Sequence, residues 1–225
     1  MQAEKCNLEC NMGKSRVARG RDQRREMILD RAQDLAFQKG FDSLTIGDLA
    51  SATDYTKRAL YFYFKDKDEI FFGLVARGQE LLKSSLEDVQ QSEPEGPEGA
   101  HAFGDCFFQF SISHPEFFSL LMEYESKRHR YEMGRTEESM AWAQCQNLSL
   151  DCGDILERWM EFEISSGRLT TSLSARQLML SFWAQTYGIM QIILMRQAGF
   201  EDVYGISVRE FFRAFMNGVV KAYWE

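Results

Sequence analysis

Apolar residues recur at helical spacing along almost the whole chain. From Arg24 to Gln38, Ile28, Ala32, Leu35 and Ala36 share one face with Phe37 beside them, and Lys39-Gly40 supplies a helix stop. Thr45 then stands before Ile46, Leu49 and Ala50 as an N-cap. Asp48 suits the positive end of that short helix, although a capping box would favour Glu at its position. Another short helix is expected from about Thr56 to Tyr63, with Ala59, Leu60 and Tyr63 facing inward. Two short helices this close together make a helix-turn-helix candidate. After the polar junction Phe64-Lys65-Asp66-Lys67-Asp68, the positions of Ile70, Phe71, Leu74, Leu81 and Leu82 predict a long helix toward Gln91.

Residues 92–100, SEPEGPEGA, form the strongest loop signal in the chain. Further helices are predicted over about 100–113, 115–132, 136–166, 174–197 and 206–224, with Pro115 admissible in a first turn and Gly134 and residues 167–172 as breaks. No alternating strand pattern competes with these helices. The expected fold is all-α, with an amino-terminal three-helix unit over about 14–72 that carries the helix-turn-helix candidate and a larger helical domain over about 73–225.

Composition and charge refine this outline. With 225 residues, 44% of them apolar, and 3 Pro, the chain can bury a substantial core. Its net charge of -8 argues against a protein coated in positive charge, but the charge is uneven. Residues 1–74 hold 13 basic and 12 acidic side chains, whereas the remainder holds 13 and 22. Residues 14–25, KSRVARGRDQRR, set Lys14, Arg16, Arg19, Arg21, Arg24 and Arg25 against Asp22 alone. They read either as a solvated terminus or as a nucleic-acid-binding arm.

Cys6, Cys10, Cys106, Cys145 and Cys152 form no disulfide framework, which fits a reducing compartment. The first residues lack the apolar core of a signal peptide, so a cytoplasmic protein is expected. The apolar stretch Phe182 to Met195 is interrupted by Gln185, Thr186 and Gln191. It falls short of the ~20 apolar residues that span a bilayer, so no membrane is expected.

The most informative segment is residues 45–72, TIGDLASATDYTKRALYFYFKDKDEIFF. Thr45, Ile46, Leu49, Ala50, Thr56, Leu60, Tyr61, Tyr63, Phe64, Lys67, Asp68 and Phe71 resemble, in order, the signature of the TetR family of dimeric bacterial transcription regulators. The preceding helix, ending in Gly40-Phe41, resembles that family too. One departure stands in the turn, where the family carries Gly and this chain carries Asp54, a residue that tolerates left-handed backbone. Tyr55 replaces a small aliphatic residue, either covering the helix pair or facing DNA.

The resemblance implies that the second short helix enters the major groove. Thr56, Lys57, Arg58, Tyr61 and Phe62 are then candidates for phosphate and base contacts, with Tyr55 beside them. Thr45 either caps its helix or binds a phosphate along with neighbouring amides, and Lys65 looks like a phosphate contact. Lys67 reads better as a structural contact. Arg16, Arg19 and Arg21 are placed to follow DNA into the minor groove.

For residues 73–225 the resemblance is architectural. It implies a ligand-binding and dimerisation body whose last two long helices, near 174–197 and 206–224, pair in a homodimer on double-stranded operator DNA with an inverted repeat. Leu178, Phe182, Gln185, Ile189, Ile192 and Ile193 form one apolar stripe on these helices; Val208, Phe211, Phe212, Phe215, Met216 and Val219 form the other. Candidates to line an effector cavity are Phe107, Phe110, Phe117, Met122, Tyr124, Trp142, Trp159, Phe162, Trp183, Tyr187 and Met190. Tyr124, Gln144, Asn147 and Gln185 are candidates to supply polarity to a small hydrophobic or aromatic effector.

No Walker loop, dinucleotide-binding fingerprint, hydrolase elbow or HExxH metal motif occurs, so no enzyme, cofactor or metal site is expected. The competing reading is a noncatalytic helical adaptor that binds another protein.

Overall fold

Ten helices and no strands make up the described residues of the computed structural model, which are 16–93, 95–134, 139–196 and 199–224. Cys6, Cys10 and the side chain of Arg16 lie outside what is described. The chain divides into two units, one ending at Leu74 and the other beginning at Val75.

The first unit holds α1 (Arg16–Lys39), α2 (Ile46–Thr53), α3 (Lys57–Tyr63) and the opening turns of α4 (Lys67–Gln91). Helix α1 begins at Arg16 rather than near Arg24, so the basic stretch is helical where it is described. Its good helix formers outweigh Gly20. Ile28, Ala32, Leu49 and Ile70 are fully buried, and Leu60 and Phe64 nearly so, giving the small unit one dry centre. Gly40 (φ 80°) ends α1 with its N–H donating to Ala36 O at 2.8 Å. Gly73 permits close packing of α1, because a Cβ there would stand 2.8 Å from Leu29 Cδ2.

In the second unit the rest of α4 is followed by α5 (Gly96–Ser113), α6 (Pro115–Gly134), α7 (Met140–Ser165), α8 (Ala175–Arg196), α9 (Phe200–Tyr204) and α10 (Val208–Trp224). Helix α5 starts inside the segment expected to be a loop. Pro97 sits in its first turn, where no N–H is needed, and the Gly96 N–H donates 3.0 Å to a carboxylate oxygen of Glu163 on α7. Glu163 is fully buried and also accepts from Arg168 Nε at 3.0 Å, so a buried ion pair fixes where α5 begins. Helix α9 was not anticipated; Gly199 and Gly205, both left-handed, bracket it.

Helix α8 is long and apolar enough to cross a membrane by length and composition, more so than its interrupted sequence suggested. Leu178, Ile189 and Ile193 nevertheless pack into the core of the second unit. The rest of α8 is unusually bare for so apolar a helix, with Leu180, Trp183, Ala184, Gly188, Ile192 and Met195 exposed.

Candidate nucleic-acid interface and ligand cavity

The turn between α2 and α3 is built as the spacing demands. Asp54 takes the left-handed conformation (φ 57°, ψ 22°), and Thr56 caps α3 by accepting from Ala59 N–H at 3.1 Å. Leu60 plugs α3 into the core, while Lys57, Arg58, Tyr61 and Phe62 stay exposed. Tyr55 is half-buried and meets Tyr63 edge-on with ring centroids 6.0 Å apart, which favours the covering role over a DNA contact. Lys65 is exposed just past α3. Lys67 is structural, donating to Asp42 O at 2.9 Å with its ammonium 4.8 Å from the centre of the Phe41 ring.

At the start of α2 the capping box closes with Asp rather than Glu. Asp48 N–H donates to Thr45 Oγ1 (3.1 Å), and Thr45 N–H (2.9 Å) and its hydroxyl (2.7 Å) donate to the Asp48 carboxylate. Lys39 Nζ lies 2.6 Å from the same carboxylate. The Lys39 hydrogen bond, followed by those from Thr45, holds the Asp48 carboxyl well below the usual range. The Thr45 hydroxyl is therefore committed to the cap, and the amides of Ile46 and Gly47 lie outside the cap's hydrogen bonds.

Gly47 also makes room for a lysine. A Cβ at this position would lie 3.3 Å from Lys57 Cε, 3.5 Å from Lys57 Nζ and 3.4 Å from Thr45 Oγ1. The Lys57 ammonium thus folds from α3 over the first turn of α2, adding positive charge where the helix dipole is already positive.

Arg19 and Arg21 lie on helix α1, not on an extended arm. Arg19 is exposed, whereas Arg21 stacks 4.8 Å from the centre of the Phe62 ring and donates to Phe62 O at 3.3 Å. Phe62, 63% exposed, is flanked by the Arg21 guanidinium and the Tyr63 ring.

The second unit holds a partly open cavity of about 340 Å³ between α4, α5, α6, α7, α8 and α10. Four of the aromatic and sulfur side chains singled out from the sequence line it: Phe107, Met122, Trp159 and Trp183. The others lie elsewhere. Phe110 packs against Phe118 and His114, Phe117 against the Gly78 backbone, and Tyr124 and Trp142 against each other. Phe162 lies half exposed under Arg168, and Tyr187 turns its hydroxyl to Met122 O. Met190 is core. Asn147 is exposed, Gln144 donates to Glu80, and Gln185 bonds to Ser181, so none of these supplies the cavity's polarity.

The polar wall comes instead from Gln79, Glu125, Arg128, Ser149, Glu157 and Arg176, residues the sequence reading passed over. Gln79 was visible as a polar residue in the buried stripe Val75, Gln79, Leu82, Leu86 of α4. Glu125 lies one turn beyond the buried Leu121 on α6, and burial raises its carboxyl pKa more than Arg128 lowers it. Burial also pushes the thiols of Cys106 up to about 11 and Cys152 up to about 12, which leaves them protonated and unreactive.

An exposed recognition helix set by a capped partner helix defines a helix-turn-helix DNA-binding protein. Residues 28–74 match the model of the bacterial regulatory proteins of the tetR family. It is 30% identical over 109 residues to the HTH-type transcriptional regulator EthR of Mycolicibacterium smegmatis (strain ATCC 700084 / mc(2)155), a match covering 45% of this chain and half of that relative. It is 26% identical over 177 residues to the HTH-type transcriptional regulator AcrR of Shigella flexneri, covering 79% of this chain and 81% of the relative. The structure of AibR in complex with isovaleryl coenzyme A and operator DNA superposes with a TM-score of 0.58 at 17% identity, over 89% of this chain and 98% of that one. The first unit is thus a helix-turn-helix DNA-binding domain of the kind the tetR-family model describes.

Proposed function

We propose that this protein is a transcriptional regulator of the TetR family, a homodimeric, cytoplasmic repressor that occupies an inverted-repeat operator and leaves it when a small, largely apolar effector fills the cavity of its second unit. The observation that carries the reading is the coexistence, in one chain, of an exposed recognition helix and a largely apolar cavity of about 340 Å³. In this reading Arg58 and Tyr61 face base edges, while Lys57 and the amides of Ile46 and Gly47 hold a phosphate, with Lys65 beside them.

The dimer reading rests on the surface left bare. The stripes first read from α8 and α10 are largely the chain's own core, since Leu178, Ile189, Ile193, Phe212, Met216 and Val219 are buried within it. A different face of α8, with Leu180, Trp183, Ala184, Gly188 and Ile192, remains open, as do Ala214, Gly218 and Ala222 on α10. Nothing lies within 4 Å of a Cβ placed at Gly188 or Gly218, so two copies can bring these helices close together in a four-helix interface. A two-fold dimer then presents two recognition helices to symmetric half-sites.

The test is paired. Sedimentation at submicromolar concentration gives twice the chain mass if the dimer reading is right and the chain mass if it is wrong. Titrating small apolar compounds against a bound operator fragment releases DNA. Compounds that bind in the cavity yet leave operator affinity unchanged contradict the sensing mechanism.

A further inference from the structure

Resting on the reading of this cavity as the effector site, the hydrogen-bonding capacity left over in its wall identifies the kind of effector it takes. Two arginines face the cavity, and both are already held. Arg176 grips Glu157 through Nε (3.0 and 3.1 Å) and a terminal nitrogen (2.9 Å). Arg128 donates through Nε to Glu132 (3.1 Å) and through a terminal nitrogen to Gln146 (2.6 Å).

The acceptors are less well served. Gln79 is 4% exposed; its amide nitrogen donates to Ser149 Oγ at 2.7 Å, and its buried Oε1 has no hydrogen-bond partner. Such an atom costs stability until a donor reaches it. Glu125 has a carboxylate side chain only 16% exposed, and its ion-pair contact to Arg128 is long, at 4.0 Å.

The helix register sets these two lining residues at one level of the cavity. Tyr131 meets Trp142 and Arg128 bonds to Gln146, so α6 and α7 run antiparallel in that register. One further turn on each helix sets Glu125 level with Ser149, the hydroxyl to which Gln79 is bonded. The remaining wall includes Phe103, Trp159, Met160, Met179 and Met216, a soft aromatic and sulfur surface that also accommodates a cation.

We infer that the effector is an amphipathic cation, an apolar body carrying a protonated nitrogen whose N–H groups donate to Gln79 Oε1 and to the Glu125 carboxylate. A ligand bearing a carboxylate at this end meets the Glu125 carboxylate and Gln79 Oε1, while the neighbouring Arg128 is already engaged by Glu132 and Gln146.

The test uses the full chain and three probes of one shape: 2-naphthylmethylammonium, 2-naphthylmethanol and 2-naphthoate, followed by calorimetry and by quenching of the tryptophan fluorescence to which Trp159 and Trp183 contribute. The expected order is ammonium, alcohol, carboxylate, with ammonium favoured over carboxylate by about tenfold or more. Glu125→Gln brings the ammonium and the alcohol to within about twofold of each other. Gln79→Met, of similar shape, weakens the ammonium too, and unchanged thermal melting shows that each variant is folded. Carboxylate binding as well as or better than ammonium, absence of ammonium binding, or a preference that survives Glu125→Gln overturns the inference. Operator release is a separate readout: an ammonium that binds with the expected preference but leaves DNA affinity unchanged contradicts the sensing reading and leaves the ligand class standing.

Discussion

The two units handle empty space in opposite ways. In the first, Ile28, Ala32, Leu49, Leu60 and Ile70 close a core with almost no exposure, and polar groups are tied locally, as in the Thr45–Asp48 box with Lys39. In the second, comparable apolar content surrounds a cavity of about 340 Å³, Gln79 Oε1 lacks a partner, and α8 keeps an apolar face bare. A surface that reads DNA must hold its side chains in one geometry, which favours a dry, fully packed support. A sensor must leave volume and hydrogen-bonding capacity unfilled, because a ligand can shift an equilibrium only through interactions the empty state lacks.

The sharpest way to break this contrast is to open a hole in the first unit. Leu60→Ala removes the plug of α3 and is expected to cost about 2–5 kcal/mol of that unit's stability, with DNA binding lost in proportion. Chemical denaturation followed by helix signal measures it, and a change below about 0.5 kcal/mol would show that the support is not tightly packed.

Second in size are the proposed DNA contacts. Arg58→Ala is expected to lose about 1–3 kcal/mol of operator affinity and to relax base preference at one position of each half-site. Lys57→Ala, if Lys57 serves a phosphate over Gly47, weakens all sequences alike and lowers the salt slope by about 1. Binding isotherms at several salt concentrations separate the two. The same pattern for both residues contradicts the division of roles.

How much of this was legible in the sequence follows the same divide. In the first unit function depends on local features, namely a cap, a turn and a plug. Thr45 and Leu60 could therefore be placed by spacing, and Asp54 by the family resemblance. The completion of the capping box by Asp48 was missed because Lys39, from another helix, shares its charge. The helical start at Arg16 was missed because dense positive charge reads as a loose arm. In the second unit the cavity is made by residues from six helices, and helical periodicity says which residues face inward without saying which face one another. Phe117 and Trp159 carry the same inward signal, yet only Trp159 reaches the cavity. The polar residues Gln79 and Glu125 carried the better signal, as breaks in buried stripes.

Smaller effects sharpen the contrast. Gly153 lies on helix α7 at the cavity wall, where an added Cβ would meet only the mobile end of Met179 at 3.5 Å. Gly153→Ala should raise stability by about 0.5–1 kcal/mol through helix propensity while weakening cavity ligands. A thermal melt and a probe titration read both, and stability gained without loss of binding would mean that the cavity tolerates filling there.

The smallest effect is electrostatic. Because the folded-state pKa of Asp48 lies below its ordinary value of 3.8, its contribution is present above that value and is lost as pH falls through the folded one. The Tm difference between the native chain and Asp48→Asn should be full at neutral pH and close in strong acid. A difference that stays constant with pH contradicts the Lys39–Asp48 role.

The central claim is that a rigid head, doubled by its body, reads a symmetric DNA site. In-vitro selection of random duplex DNA by the purified full chain tests it most directly. The account predicts one enriched inverted repeat, bound by the native chain and lost when Lys57 and Arg58 are both changed to Ala; the absence of any enriched sequence, or equal enrichment by the double variant, would contradict it.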